Sequence, residues 1–426
     1  GSWRVDKTDL FGSDPKFRGR PLWSVGASWN LHNESFMKAY TWLNALKLRA
    51  SYGLTGNIDS NASSYLTAAI KNNWMNSLPM GVIKNAPYDQ LRWEKTATTN
   101  IGIDYAFCGY RLSGSVDYYH KSGSDLLTET DMDPTLGLPD NVMTINAGNM
   151  VNTGVELQIN ANILPQKLRN SVGVNVYFNI AYNKNKVTGL NHIPPTASDY
   201  LYGYLREGYP RSSIFSFDYA GLIDNEDGTR SIGWRDHNGN IHSESIYESE
   251  FSEDDLIFHG SADPTVAASF TPEIKYAGFS LSAMFNFYGG HYMRAGNERW
   301  NTYGNDLGYT SGATPSSCLR YWEGDVEAMP NGYKAYSTIG YDYAPYMNRS
   351  VYHADYLKIS NIVLSYQFDR AIISKLRLRD LRLRAQINNV CTWARNPLGL
   401  DPEAVMGGIS INRTPRSYTM SLLVNF

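Results

Sequence analysis

Runs of about ten residues in which apolar and polar side chains alternate recur along this chain of 426 residues, and they leave few folds open. Trp23, Val25, Ala27, Trp29 and Leu31 alternate with Ser24, Gly26, Ser28 and Asn30. Leu46, Leu48, Ala50 and Tyr52 alternate with Lys47, Arg49 and Ser51. Val155, Leu157, Ile159, Ala161 and Ile163 face away from Gly154, Glu156, Gln158, Asn160 and Asn162. Val172 to Tyr182, Phe279 to Phe287, Ile362 to Phe368 and Leu381 to Ile387 repeat the pattern. Period two marks a strand with one apolar and one polar face. Runs of this length exceed the five or six residues usual in soluble sheets and match a tilted strand that crosses a bilayer.

The connections sharpen that reading. Tight ones, at Phe107-Cys108-Gly109-Tyr110, 164–170, Tyr276-Ala277-Gly278 and 373–380, alternate with long stretches near 55–96, 121–150, 184–263, 289–354 and 395–414. The long stretches are rich in Gly, Asn, Asp, Ser, Tyr and Pro, the loop formers. Strict alternation of short and long matches periplasmic turns on one rim and extracellular loops on the other. Eleven strands are evident, with a twelfth near residues 2–9. One short helix is expected within 33–46. The fold class is all-β, a transmembrane antiparallel β-barrel. The last run puts Tyr418, Met420, Leu422, Val424 and Phe426 on one side. An amphipathic final strand that ends on an aromatic residue is the usual membrane-insertion signal of such barrels.

Composition excludes other classes. No stretch of 18 apolar residues exists, so helical spans are not expected. Lys and Arg number 38 against 41 Asp and Glu, which gives no electrostatic case for nucleic acid. Cys108, Cys318 and Cys391 have neither disulfide-framework nor metal spacing. G-x-S-x-G, H-E-x-x-H and phosphate-cradling Gly-Lys motifs are lacking, so catalysis is not expected. No cofactor is implied. The acidic run from Glu248 to Asp255 reads as a solvated extracellular face.

Particular words then carry a resemblance. Leu48-Arg49-Ala50-Ser51-Tyr52-Gly53-Leu54-Thr55-Gly56-Asn57, Leu91-Arg92-Trp93-Glu94-Lys95-Thr96 and Asn146-Ala147-Gly148-Asn149-Met150-Val151-Asn152-Thr153-Gly154-Val155-Glu156 resemble signature segments of the SusC/RagA family of TonB-dependent outer-membrane transporters. Glu207-Gly208-Tyr209-Pro210, Asp355-Tyr356-Leu357-Lys358-Ile359-Ser360 and Gly399-Leu400-Asp401-Pro402-Glu403 follow in family order. The resemblance implies a plugged barrel of about 22 strands, of which residues 1–426 form the C-terminal part. The plug and the TonB-contacting segment would precede Gly1. It further implies residence in the outer membrane of a Gram-negative bacterium and a SusD-like surface lipoprotein as partner. The cargo is expected to be oligosaccharide, or else peptide, and pairs of transporter and lipoprotein could associate into dimers. The rival readings are a passive porin or small closed barrel, and a glycan-binding adhesin that transports nothing.

Candidate site residues follow from chemistry. Loop aromatics Trp74, Trp234, Trp300, Tyr303, Tyr321 and Trp322 are candidate substrate contacts, because flat rings stack on sugars and on peptide side chains. Girdle or loop packing is the structural alternative for each. Glu156, Gln158, Asn160, Asn162, Asn175 and Asn179 are expected to face the lumen. Asp236, Asn238 and Asn240 keep the alternate oxygens of a calcium loop, but Ile241 replaces the turn-making Gly, so a solvated Asx-rich turn is preferred to a metal site.

Overall fold

The computed structural model describes residues 1–8, 18–58, 64–138, 141–190, 196–224, 230–243, 246, 251–295, 346–375, 377–406, 409–410 and 413–425. Its body is one antiparallel sheet of twelve strands in which each strand pairs with its neighbours in chain order. The first six are β1 (Ser2–Lys7), β2 (Gly19–Asn30), β3 (Leu43–Asn57), β4 (Glu94–Phe107), β5 (Leu112–Asp131) and β6 (Val142–Leu164). The others are β7 (Gly173–Leu190), β8 (Val266–Tyr276), β9 (Phe279–Gly289), β10 (Tyr356–Gln367), β11 (Asp380–Ala394) and β12 (Ser417–Asn425). Among the described residues, β1 pairs only with β2, and β12 only with β11, so the sheet keeps two free edges.

Strand pairing carries the alternation of the sequence across the whole sheet. Leu46 to Tyr52, Ile101 and Ile103, Val116 and Tyr118, and Val155 to Ile159 stand in register on one face. Val176 to Tyr182, Phe270, Phe285 and Leu364 continue it. Leu381, Leu383, Leu422 and Val424 complete it. Many of these side chains are exposed, among them Val155, Phe270, Leu281, Met420 and Leu422. The apolar face thus has no protein layer over it, the reverse of a soluble sheet and the arrangement of a lipid-facing wall. Aromatic rings collect at its two ends. Trp23 and Tyr52 (5.5 Å between centroids), Tyr118, Tyr182 and Trp393 stand toward the long loops. Trp42 and Phe107 (5.5 Å), Tyr105, and Phe279 with Tyr366 (4.6 Å) stand toward the short turns.

The short rim carries tight turns as expected except between β10 and β11, where Arg370–Lys375 forms a short α-helix. Ala277 (φ 51°) and Gly278 (φ 88°) form the two-residue, left-handed turn that suits the twist of a hairpin. The stretch 33–46 is not a regular helix; it forms two 3-10 turns, Leu31–Asn33 and Ser35–Met37, and then enters β3. At the long rim the strands outrun the lengths read from sequence. β5 and β6 stay paired up to Asp131 and Val142, so the connection near 121–150 shrinks to 132–141. Alternation is lost there because, beyond the hydrocarbon, neither face needs to be uniformly apolar.

The segment 196–261, together with residues 346–353, forms a small unit on the long rim. Strand Ser213–Ser216 pairs with Ile257–Ser261, and a second ribbon joins Asp218–Asp224, Arg230–Arg235 and Ile241–His242. Its core is Ala197, Tyr200, Phe215, Phe217, Trp234, Ile246, Phe251, Leu256 and Met347. A bridge from Phe217 to Met347 ties the two segments together.

Candidate functional site

The polar face of the sheet is a wall of hydrogen-bonding groups interspersed with small side chains such as Ala181 and Ala267. Asp117, Glu156 and Ala181 lie in one register row, and Ser115, Gln158 and Asn179 in the next. Asn179 Nδ2 donates to Ser269 Oγ (3.2 Å) and Asn175 Nδ2 to Glu273 Oε2 (2.9 Å). Asn286 Nδ2 donates to Ser360 Oγ (2.6 Å). Asn160 and Asn162 stand on the same face of β6, so all six residues read from sequence as lumen-facing lie on this wall. On β3 to β5 the wall carries an ionic clamp. Arg49 donates to Asp104 through Nε and Nη2, both at 2.9 Å, and to Asp117 through Nη2 at 2.9 and 3.1 Å. Gly102 lies under this clamp, where a Cβ would come 2.4 Å from Asp117 Oδ1 and 2.8 Å from Arg49 Nη2. A cavity of 370 Å³ opens on the wall, lined by Asp117, Glu156, Gln158, Asn179, Asn286 and Tyr288.

Tyr288 links this cavity to a second one at the long rim. Its ring stacks on that of Tyr356 at 5.0 Å. The rim cavity, of 570 Å³, is lined by Tyr202, His291, Tyr292, Arg294, Tyr346 and Tyr356 among others. Tyr356 donates to Glu403 Oε1 (3.0 Å), and Lys358 pairs with the other oxygen of that carboxylate. Arg294 donates to the Phe215 carbonyl (2.5 Å) and lies 4.9 Å from the Tyr346 ring centre. Burial pushes its guanidinium down to about 10, so it keeps its charge at neutral pH. His291 is buried, with Nδ1 3.9 Å from Asp355 Oδ1. Aromatic faces, a cation and a buried imidazole around an open space suit a polar oligomer with flat apolar faces.

Two knots hold the rim in place. In the first, Asn146 Oδ1 accepts from Arg92 N (2.8 Å), while its Nδ2 donates to the Arg92 and Asp125 carbonyls (2.8 and 2.6 Å). Arg92 pairs with Asp125 at 2.7 Å, and Leu91 and Trp93 are buried against Ile58, Tyr88 and Leu127. In the second, Asp355 accepts from Gly290 N (2.8 Å) and pairs with Arg395 (2.9 Å). The first knot brings together two of the sequence words quoted above, through Arg92 and Asn146, and the second is built on Asp355 of a third; their spacing gave no sign of these contacts.

The aromatic candidates divide. Trp74 sits at the tip of a hairpin, Thr67–Asn72 with Pro79–Asn85, and is 87% exposed. Trp234 must be withdrawn as a substrate contact. It is fully buried, with Phe251 at 4.4 Å, Phe217 at 4.5 Å and His242 at 4.7 Å around its ring, so no face is left for a ligand. Trp300, Tyr303, Tyr321 and Trp322 lie outside the described residues, as does Phe426. Asp236 closes an Asx turn. It accepts from Asn238 N (2.9 Å), Asn240 N (2.8 Å) and Asn240 Nδ2 (2.9 Å), and lies 3.1 Å from His242 Nε2. With its oxygens turned onto the loop's own donors, the segment has the geometry of a turn rather than of a cation cage. Sequence reasoning missed Tyr288, Tyr356, His291 and Arg294. The alternation of Asn286 and Tyr288 with Phe285 and Phe287 could have flagged the first of these.

An antiparallel sheet with a bare apolar face, aromatic ends, a polar inner wall and a folded unit on the long-loop rim is the wall of an outer-membrane β-barrel. The family model described as TonB dependent receptor-like, beta-barrel matches residues 1–244. TonB-dependent receptor P3 of Formosa agariphila is 27% identical over 427 residues, covering 94% of this chain and 40% of that protein. TonB-dependent receptor SusC of Bacteroides thetaiotaomicron is 26% identical over 458 residues, covering 99% and 40%. The solved RagAB peptide transporter superposes with a TM-score of 0.74 at 25% identity, over 100% of this chain and 45% of that one. The chain belongs to the TonB-dependent receptor-like β-barrel family, is similar within it to SusC and to the RagAB transporter, and is integral to the Gram-negative outer membrane. It spans about two fifths of the length of the curated relatives it matches.

Proposed function

We propose that this chain is the C-terminal part of a barrel that actively imports nutrient oligomers, with its polar face lining the lumen. The observation that carries this reading is the pair of neighbouring cavities on one face of the sheet, the tyrosine-lined one at the rim and the one over Glu156, Gln158 and Asn179, joined by the stacked rings of Tyr288 and Tyr356. Oligosaccharide is the preferred cargo, because paired phenol rings beside amides and carboxylates match the apolar faces and hydroxyl edges of sugars. Peptide is the second reading, favoured by the likeness to the RagAB peptide transporter.

The remaining parts of the machine are proposed with it. Two free edges cannot stand in hydrocarbon, so further strands close the barrel. A plug and a TonB-contacting segment belong to the rest of the whole protein. A SusD-like lipoprotein covers the extracellular mouth. The hairpin around Trp74 exposes Ile70, Met75 and Leu78 as well, an apolar patch that supports a protein partner there. The barrel performs no bond chemistry; it works by binding cargo differently in its open and closed states.

The test is uptake of labelled oligosaccharides and peptides by cells that carry the full-length protein, with and without a collapsed proton gradient. Tyr288→Ala/Tyr356→Ala is expected to cut uptake about tenfold, the loss of one to two good aromatic contacts. Uptake indifferent to the gradient would establish the passive pore instead, and surface binding with no uptake the adhesin.

A further inference from the structure

On β4 to β7, the apolar face of the sheet changes character in a single step toward the long rim. Ile101, Tyr118, Val155 and Tyr182 lie in one register row, the aliphatic and aromatic edge of the hydrocarbon band. Two residues further along each strand, on the same face, the row is Thr99, His120, Thr153 and Lys184. The next row is Ala97, Ser122, Val151 and Lys186. Rows are about 6.6 Å apart along the strands and neighbouring strands about 4.8 Å apart, so the donor row is roughly 14 Å wide. His120 Nδ1 and Thr153 Oγ1 are 3.2 Å apart, and both lysines are exposed. Neither row contains a carboxylate. Asp125, further out on β5, is already held by Arg92 and Lys95.

Two like charges on one face of one strand repel each other in isolation. Here they stand immediately above the aromatic girdle, at the depth of the head groups, where an ammonium can reach an anionic phosphate while its stem stays on apolar surface. We propose that Lys184 and Lys186, with His120 and Thr153 beside them, form a binding site on the outer wall of the barrel for the phosphate of an outer-leaflet lipid head group. The site rests on membrane residence alone and is independent of the cargo and of the import reading.

Full-length receptor in neutral detergent is incubated with lipid A, a phosphate-bearing glycolipid, or with its dephosphorylated form, and retained lipid is counted by native mass spectrometry. The phosphorylated form is expected to be retained in preference, and Lys184→Gln/Lys186→Gln to lower its retention about tenfold or more. Lys184→Arg/Lys186→Arg keeps the charge and is expected to bind as the parent does. Lys121→Gln removes the same charge from the opposite face of β5, over the Tyr119 ring, and is expected to change nothing. Equal retention of the two lipids, undiminished retention by the Gln pair, or an equal loss in Lys121→Gln would overturn the proposal. Complete displacement by inorganic phosphate would also overturn it, by making the site one for a free anion.

Discussion

Two histidines of the long-rim unit respond to pH in opposite directions. The hydrogen bond to Asp255 (2.6 Å) raises His237 above the ordinary imidazole value, assisted by the charges of Asp255, Asp236 and Asp254. Its stabilising contribution is complete below about 6.5 and is lost as pH rises through the raised value. His259 is driven down to about 4 by burial and by the Arg294 cation, and it makes a 2.7 Å hydrogen bond with Ser216. Its neutral form belongs to the fold, so stability is lost as pH falls from about 6.5 towards that value. Limited proteolysis of segment 196–261 at acid, neutral and alkaline pH, with the barrel as internal reference, is expected to show most protection near neutrality. His237→Gln should abolish the alkaline loss and His259→Gln the acid loss; unchanged profiles would refute the assignment. At this scale the sequence was least legible. Trp234 sits in a polar, glycine-rich stretch, and nothing nearby signals that Phe217 and Phe251, each 17 residues away, close over its ring.

Elements were easier to read than residues because pleating forces side chains to alternate, and lipid makes the consequence uniform. The runs at Val155–Ile163 and Phe279–Phe287 became β6 and β9 with the expected faces. The strands Ser213–Ser216 and Arg230–Arg235 escaped notice because they are short and because pairs such as Ser213 with Ser261 span long separations. Gly102 tests how an element holds its wall. Valine there would force its Cβ into the Asp117 carboxylate and the Arg49 guanidinium, breaking the clamp that joins β3, β4 and β5. Overpacking of this kind costs about 1–3 kcal/mol. Gly102→Val is expected to lower the temperature at which the barrel loses its compact mobility on gels without boiling. An unchanged transition would show that the clamp yields easily.

Across the whole molecule the two faces obey different rules. An arginine at Phe270, in the middle of the apolar face, is expected to destabilise the inserted barrel by about 2–4 kcal/mol. An arginine at Ser282, on the polar face of the adjacent strand, should leave insertion intact. Equal yields of the two variants in the outer membrane would overturn the assignment of faces. Among the described residues β1 and β12 are each paired on one side only. A strand edge in oil is a row of dangling amides and carbonyls, so this sheet is expected to enter the bilayer only together with partners for both edges. The wall and whatever seals it are therefore expected to insert as one event.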